Sequence, residues 1–273
     1  MGEKLVSRRA KASAAQRRRS LKALAGRIGI AVVILAVVVA TFLANRSRPL
    51  QRVFPLPIVT AIGPGIGIGV SYADGSGDIT CTAGFMVHTK DGNPGLLVAG
   101  HCNEPGGPGT VTAHYGGRYA YPKIGTFTES VYGGNNWDDH DIGLITLDDT
   151  KKIPLSSDID GHAVTGVAER VEVGDVLCHF GVRSGGPVCG PVVVSEVNKV
   201  RFAAPGKCGD SGGPVYIVRP DGTAEAVGVY VAVSNGDYSE PKCDEPHKFS
   251  VAQLIRPWLG PWKLTLVTGS PPA

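Results

Sequence analysis

Beyond residue 65 the apolar residues of this chain come in short runs, each bounded by Gly, Pro, Asn or Asp. Leu96–Ala99, Ile142–Leu147, Val171–His179, Val192–Phe202 and Val227–Val233 are examples. Little of this repeats at the helical period. Short β-type runs separated by turn residues predict an all-β chain, and their spacing predicts a closed antiparallel barrel or a sandwich. One helical stretch is expected near the end, Ser250–Ile255, before Pro257 interrupts it. The 38 Gly and 20 Pro show no Gly-X-Y period, which excludes a collagen. With 42% hydrophobic and 19% charged residues, global disorder is excluded as well. No internal repeat or low-complexity block is present.

The formal charge of +3 is the sum of two opposite regions. Residues 1–27 carry nine Lys/Arg and one acid, a balance of +8, while the remaining 18 Lys/Arg face 23 Asp/Glu, a balance of −5. Directly behind the basic block, residues 28–44 (IGIAVVILAVVVATFLA) hold 17 residues without a charge. That is the short end of a membrane span, and the basic flank keeps the N-terminus cytoplasmic and the C-terminal bulk outside. Cleavage after Val38-Val39-Ala40, giving a secreted protein, is the alternative. The unbroken apolar run through Leu43 and the long basic tail favour an uncleaved single-pass anchor. Arg17-Arg18-Arg19-Ser20-Leu21-Lys22 resembles a twin-arginine signal only weakly. A nucleic-acid patch is disfavoured by the apolar run that follows it. Residues 45–65, with Arg46, Arg48, Arg52 and four prolines, read as an extended tether.

All six cysteines lie in the exported part. An even count outside the cytoplasm implies three disulfides, with 15 pairings possible. Sequence order favours neighbours: Cys81–Cys102, Cys178–Cys189 and Cys208–Cys243. Zinc is disfavoured because no Cys-x-x-Cys pair occurs and the seven histidines are scattered.

Three segments carry chemistry. Cys208-Gly209-Asp210-Ser211-Gly212-Gly213-Pro214 sets a serine among glycines that let the backbone turn and aim N–H groups at one point. A plain tight turn has the same composition, and Gly-x-Ser-x-Gly also fits an α/β-hydrolase elbow. Val98-Ala99-Gly100-His101-Cys102 places a histidine at the end of an apolar run, beside a cysteine able to pin its backbone. A lone histidine is more often structural. His140-Asp141-Ile142-Gly143-Leu144-Ile145 opens a strand with a carboxylate able to orient an imidazole. Asp138 and Asp139 compete with it, but Asp141 directly precedes the apolar segment. The order His101, Asp141, Ser211 on an all-β chain excludes the elbow, whose order is Ser, acid, His.

These blocks resemble the chymotrypsin-fold serine endopeptidases, and most nearly their bacterial streptogrisin and α-lytic protease branch. The resemblance spans about residues 66–262 and is carried by GDSGGP (209–214), AGHC (99–102) and DIGLI (141–145). Cys81-Thr82-Ala83-Gly84-Phe85 resembles the strand whose cysteine bridges to the one after the catalytic histidine. Cys178 to Cys189 resembles the branch's short disulfide loop, and Ser234-Asn235-Gly236 the strand that pairs with substrate backbone.

The resemblance implies two six-stranded antiparallel β-barrels, about 66–165 and 166–250, with the site between them, a short C-terminal helix and a tail over 263–273. It implies Ser211 as nucleophile, His101 as base, Asp141 as its orienting acid, and an oxyanion hole from the Gly209 and Ser211 N–H groups. A protein or peptide is the implied substrate, with no cofactor, metal or nucleic acid.

Cys208 stands three residues before Ser211, where many relatives place it four or more upstream, so primary specificity does not transfer. No acid lies among the ten residues before Asp210, so small or apolar side chains are expected at the cleavage site. His179 stands where relatives carry the arginine that pairs the buried aspartate, so Arg183 or protonated His179 is expected to pair with Asp210. No folded pro-domain is expected before the first barrel. The rivals are a non-catalytic surface module of the same fold, which the intact triad disfavours, and an HtrA-like protease, disfavoured because no peptide-binding domain is expected after the barrels.

Overall fold

The computed structural model describes Leu35 and residues 55–117, 120–134, 136–148, 153–235 and 247–270. The basic tail and, apart from Leu35, the expected membrane segment 28–44 lie outside the described residues. Among the described residues no helix is long and apolar enough to cross a membrane. From Pro55 onward the described residues belong to one compact unit. The second half of the expected tether is part of it. Leu56 and Ile62 are buried, and the Ile62 N–H donates to Pro154 O at 2.8 Å.

The fold is all-β. The first eight strands are β1 (Gly67–Ser71), β2 (Asp78–Thr82), β3 (Met86–His88), β4 (Pro94–Val98), β5 (Thr110–Ala113), β6 (Lys123–Tyr132), β7 (Asp141–Leu147) and β8 (Val164–Val167). They are followed by β9 (Val176–Gly181), β10 (Gly186–Ser195), β11 (Lys199–Phe202), β12 (Pro214–Val218), β13 (Ala224–Ser234), β14 (Phe249–Leu254) and β15 (Thr265–Leu266). Strand β7, DIGLITL, shows why: buried on nearly every residue, its apolar side chains need neighbours on both faces of the sheet.

The second half closes into a six-strand barrel, β12-β9-β10-β11-β14-β13, sealed by β12–β13 pairing. Strand β8 adds to it in parallel beside β13, so the change of sheet falls before Val164. The first half departs from the expected six strands. It is an eight-stranded sheet, ordered β15-β3-β4-β7-β6-β5-β1-β2. Its length comes from a bend at Ala83–Phe85, which splits one long strand into β2 and β3, and from β15, which pairs with β3. The Gly84 N–H donates to Leu97 O and the Leu97 N–H to Phe85 O, both at 2.9 Å, so pairing with β4 continues through the bend. The segment expected to be a tail therefore supplies an edge strand.

The helix expected at Ser250–Ile255 is a strand instead. Ser250, Val251, Ala252 and Gln253 are all buried, packed between β11 and β13. Pro257 does not end a helix but starts one, Arg256–Leu259, where its missing N–H has no partner to lose. Val192–Phe202, read as one run, is a hairpin of β10 and β11.

Two expected disulfides are present. Cys81–Cys102 ties β2 to the residue after His101, and Cys178–Cys189 joins facing positions of β9 and β10. Cys208 is also disulfide-bonded, while Cys243, its expected partner, lies outside the described residues. Replacing Cys81 and Cys102 together with alanine is expected to cost about 3 kcal/mol, because the bridge closes a loop of 21 residues. Denaturant unfolding of wild type and variant measures it.

Candidate active site

The first sheet presents His101 and Asp141. His101 lies in a 3₁₀ turn, Gly100–Asn103, that follows β4, and Asp141 is the first residue of β7. Asp141 is 4% exposed and accepts twice from His101: Oδ1 from the backbone N–H at 2.9 Å and Oδ2 from Nδ1 at 2.7 Å. With its Nδ1–H held by the carboxylate, the ring turns the lone pair of Nε2 away from Asp141. Tyr132 meets the His101 ring edge-on, with centroids 5.9 Å apart. A fifth of the His101 side chain is exposed. Burial pulls its pKa down, but the Asp141 charge, the hydrogen bond to Asp141 and the Glu104 charge outweigh that, so the pKa stands above 6.5.

The second barrel presents Ser211 in the turn before β12. Two contacts fix this turn against the first sheet: the Thr82 N–H donates to Ser211 O at 2.8 Å, and Thr82 Oγ1 donates to Gly209 O at 2.8 Å. Gly209 and Gly212 have φ of +102° and +85°, which disfavour any side chain. At Gly212 a Cβ would also lie 2.3 Å from Val98 Cγ2 and 2.4 Å from Thr82 O. Only glycine lets the Ser211 turn lie against the strand that leads to His101. Among the described residues the N–H groups of Gly209 and Ser211 donate to no protein acceptor, whereas Asp210, Gly212 and Gly213 all donate to carbonyls.

Asp210 is fully buried, and its expected pairing takes another form. Its carboxylate accepts from the backbone N–H of Arg183, Ser184 and Lys207, each at 2.9 Å, and from Ser184 Oγ. Arg183 thus contributes its main chain to the carboxylate. His179 is not the cationic partner. Burial lowers its pKa by more than the Pro205 carbonyl and the Asp210 charge raise it, and its Nε2–H donates to Pro205 O at 3.0 Å. Asp210→Ala would orphan these buried donors and release the turn that carries Ser211. An unfolding free energy lower by at least about 2 kcal/mol is expected, with activity falling alongside it.

Ser234 is buried at the end of β13 and Asn235 is exposed just beyond; Gly236 lies outside the described residues. Two residues that sequence reasoning missed join the second barrel to the first sheet beside Asp141. Gln253 accepts from the Asp141 N–H at 3.2 Å and donates to Asn198 O at 2.8 Å. The Lys199 ammonium donates to Asn136 O at 3.0 Å, and burial pulls its pKa down. An amide inside the apolar stretch SVAQLI was the available signal for Gln253. As for metals, Cys81, His101 and Cys102 bring their ligand atoms within 4.8 Å, but the two sulfurs are bonded to each other and offer no thiolate.

No known protein-family model matches the sequence. The Mycobacterium tuberculosis protein MT1863 (strain CDC 1551 / Oshkosh) is 30% identical over 174 residues, 57% of this chain and 69% of its own length. The chain belongs to the family of MT1863. The M. tuberculosis protein Rv1815 (strain ATCC 25618 / H37Rv) is 29% identical over the same shares, and both are named only as uncharacterized proteins. Solved structures add the fold of this family. Thermobifida fusca Protease A has a TM-score of 0.55 at 24% identity, over 77% of this chain and 100% of that one. Nocardiopsis Protease has 0.54 at 22%, over 76% and 98%. Cellulomonas bogoriensis chymotrypsin has 0.54 at 21%, over 77% and 100%. The fold is that of the bacterial chymotrypsin-type serine proteases.

Proposed function

We propose that this chain is a serine endopeptidase that hydrolyses peptide bonds through an acyl-enzyme, with Ser211 as nucleophile, His101 as base and Asp141 as the orienting acid. The observation that carries this reading is the double hold of Asp141 on His101, which fixes both tautomer and ring direction. His101 Nε2 takes the proton of Ser211 as Oγ attacks the scissile carbonyl, then delivers it to the leaving amine. Asp141 stabilises the imidazolium formed between those steps. The uncommitted N–H groups of Gly209 and Ser211 receive the oxyanion, and losing such a donor costs about 2.7–4 kcal/mol of transition-state stabilisation. Small or apolar side chains are expected at the cleavage site; peptide-library cleavage dominated by Arg or Lys overturns that part alone.

In this proposal the enzyme stands on the outer side of a membrane, held by residues 28–44. The basic flank of +8 and the disulfides of the β-unit support it. Mass spectrometry of the mature N-terminus distinguishes the anchored from the cleaved form. Labelling with a fluorophosphonate tests the chemistry: modification of Ser211 is expected, and a wild-type protein that stays unlabelled sinks the assignment.

A further inference from the structure

Cross-strand partners in an antiparallel sheet project to the same face. Arg201 of β11 faces Val251 of β14, which faces Ala232 of β13, and Phe249 faces Ser234 two positions along. These five residues therefore share the outer face of the second barrel, while Val200, Phe202, Ser250 and Val233 of the same strands point inward and are buried. That outer face meets the first sheet: Gln253, two positions beyond Val251 on β14, accepts from the Asp141 N–H, and Lys199, two positions before Arg201 on β11, donates to Asn136 O. Arg201 thus stands on the face that carries Ser234, on the side of the second barrel that meets the first sheet.

The Arg201 guanidinium lies 6.0 Å from the Trp137 ring and 5.5 Å from the Phe249 ring. The Trp137 ring is itself fixed, Nε1 donating to Glu196 Oε2 at 2.7 Å. Arg201 Nε is buried with no acceptor. Among the described residues no carboxylate makes an ion pair with Arg201. Asp139, on the Trp137 loop, accepts from Asn136 instead, and the second cation of β11, Lys199, is engaged by Asn136 O. Two aromatic faces hold a planar cation in place without neutralising its charge, and a buried N–H without an acceptor is unfavourable. A carboxylate satisfies both, by the paired hydrogen bonds that guanidinium makes with it.

We propose that Arg201 is a specificity-determining residue which binds an acidic side chain of the substrate on the N-terminal side of the scissile bond. This rests on the endopeptidase reading and on the end of β13 at Ser234, with Asn235 just beyond, as the segment that receives substrate backbone. The substrate chain runs along that strand past Trp137 and Phe249, and a Glu or Asp side chain enters between them to meet the guanidinium.

The experiment uses fluorogenic peptides that differ only by Glu, Gln or Lys at the second, third or fourth residue before the cleaved bond. They are assayed with wild type, Arg201→Gln and Arg201→Lys. At one or more of these positions wild type should favour Glu over Gln by about five- to twentyfold in kcat/KM, chiefly through KM. Lys should be the poorest of the three. Raising ionic strength should shrink the preference, as expected for a partly exposed pair. Arg201→Gln should bring the Glu/Gln ratio to about one, and Arg201→Lys should restore part of it. Each ratio is internal to one protein, so a general loss of activity in a variant cancels, and the salt dependence of wild type stands even if a variant does not fold. Equal Glu/Gln ratios in wild type and Arg201→Gln overturn the proposal, as does a wild-type ratio near one at all three positions. Failure to cleave any peptide, together with failure to react with fluorophosphonate, overturns the endopeptidase reading instead.

Discussion

Ser211→Ala should lower kcat/KM for a good peptide substrate by about 10⁶-fold and abolish fluorophosphonate labelling. Activation of the nucleophile acts as a unit, so removing the hydroxyl leaves His101 with no proton to accept. The structure makes this substitution a clean one. The ties that hold the turn are made by Ser211 O and Gly209 O, to the N–H and Oγ1 of Thr82, and alanine keeps them all. Unfolding free energy should therefore shift by less than about 1 kcal/mol. A residual rate of about 10³–10⁴ over uncatalysed hydrolysis is expected from the main-chain N–H groups and substrate binding. Equal labelling of wild type and Ser211→Ala would show that the reactive group lies elsewhere.

The three segments singled out for their chemistry stood out in the sequence because each is local. A serine among glycines, a histidine beside a cysteine and an aspartate opening an apolar run are readable within seven residues. The expected neighbour pairings put Cys81 against Cys102 and Cys178 against Cys189, where the structure has them. What escaped is what depends on chain segments far apart. Gln253 reaches Asp141 across 112 residues, and Thr82 reaches Gly209 across 127. Neither has a local signature beyond a polar atom in an apolar strand. Arg183, expected to pair with Asp210, meets it through its backbone N–H, joined by those of Ser184 and Lys207. Backbone donors leave no compositional trace. Ser250–Ile255 misled for a different reason. Six residues ending before a proline suit a last helical turn, and only pairing with β11 and β13 makes them a strand.

Asp141→Asn should lower kcat/KM by about 10⁴-fold, with a shift in pH dependence that separates orientation from simple loss of fold. In the wild type the carboxylate receives the Nδ1–H at 2.7 Å and directs the lone pair of Nε2 outward. An asparagine can offer its amide NH₂ to Nδ1 instead, which favours the tautomer with the proton on Nε2, where it blocks the base. The same change removes the two largest upward influences on the imidazole, charge and hydrogen bond, leaving burial to pull its pKa down. Wild-type kcat/KM should rise with pH through a midpoint above 6.5, as the imidazolium loses its proton, and the residual activity of Asp141→Asn should rise at lower pH. Stability carries the opposite sign. Because the folded-state pKa of His101 is raised, the protonated pair stabilises the wild type fully below the unfolded value of 6.5, and this contribution is lost as pH rises through the folded value. The difference in unfolding free energy between wild type and Asp141→Asn should therefore shrink from acid to alkaline pH. A wild-type rate profile flat between about pH 5 and 9 would remove His101 from the role of base. A variant profile with an unshifted midpoint would remove Asp141 from the role of its orienting partner.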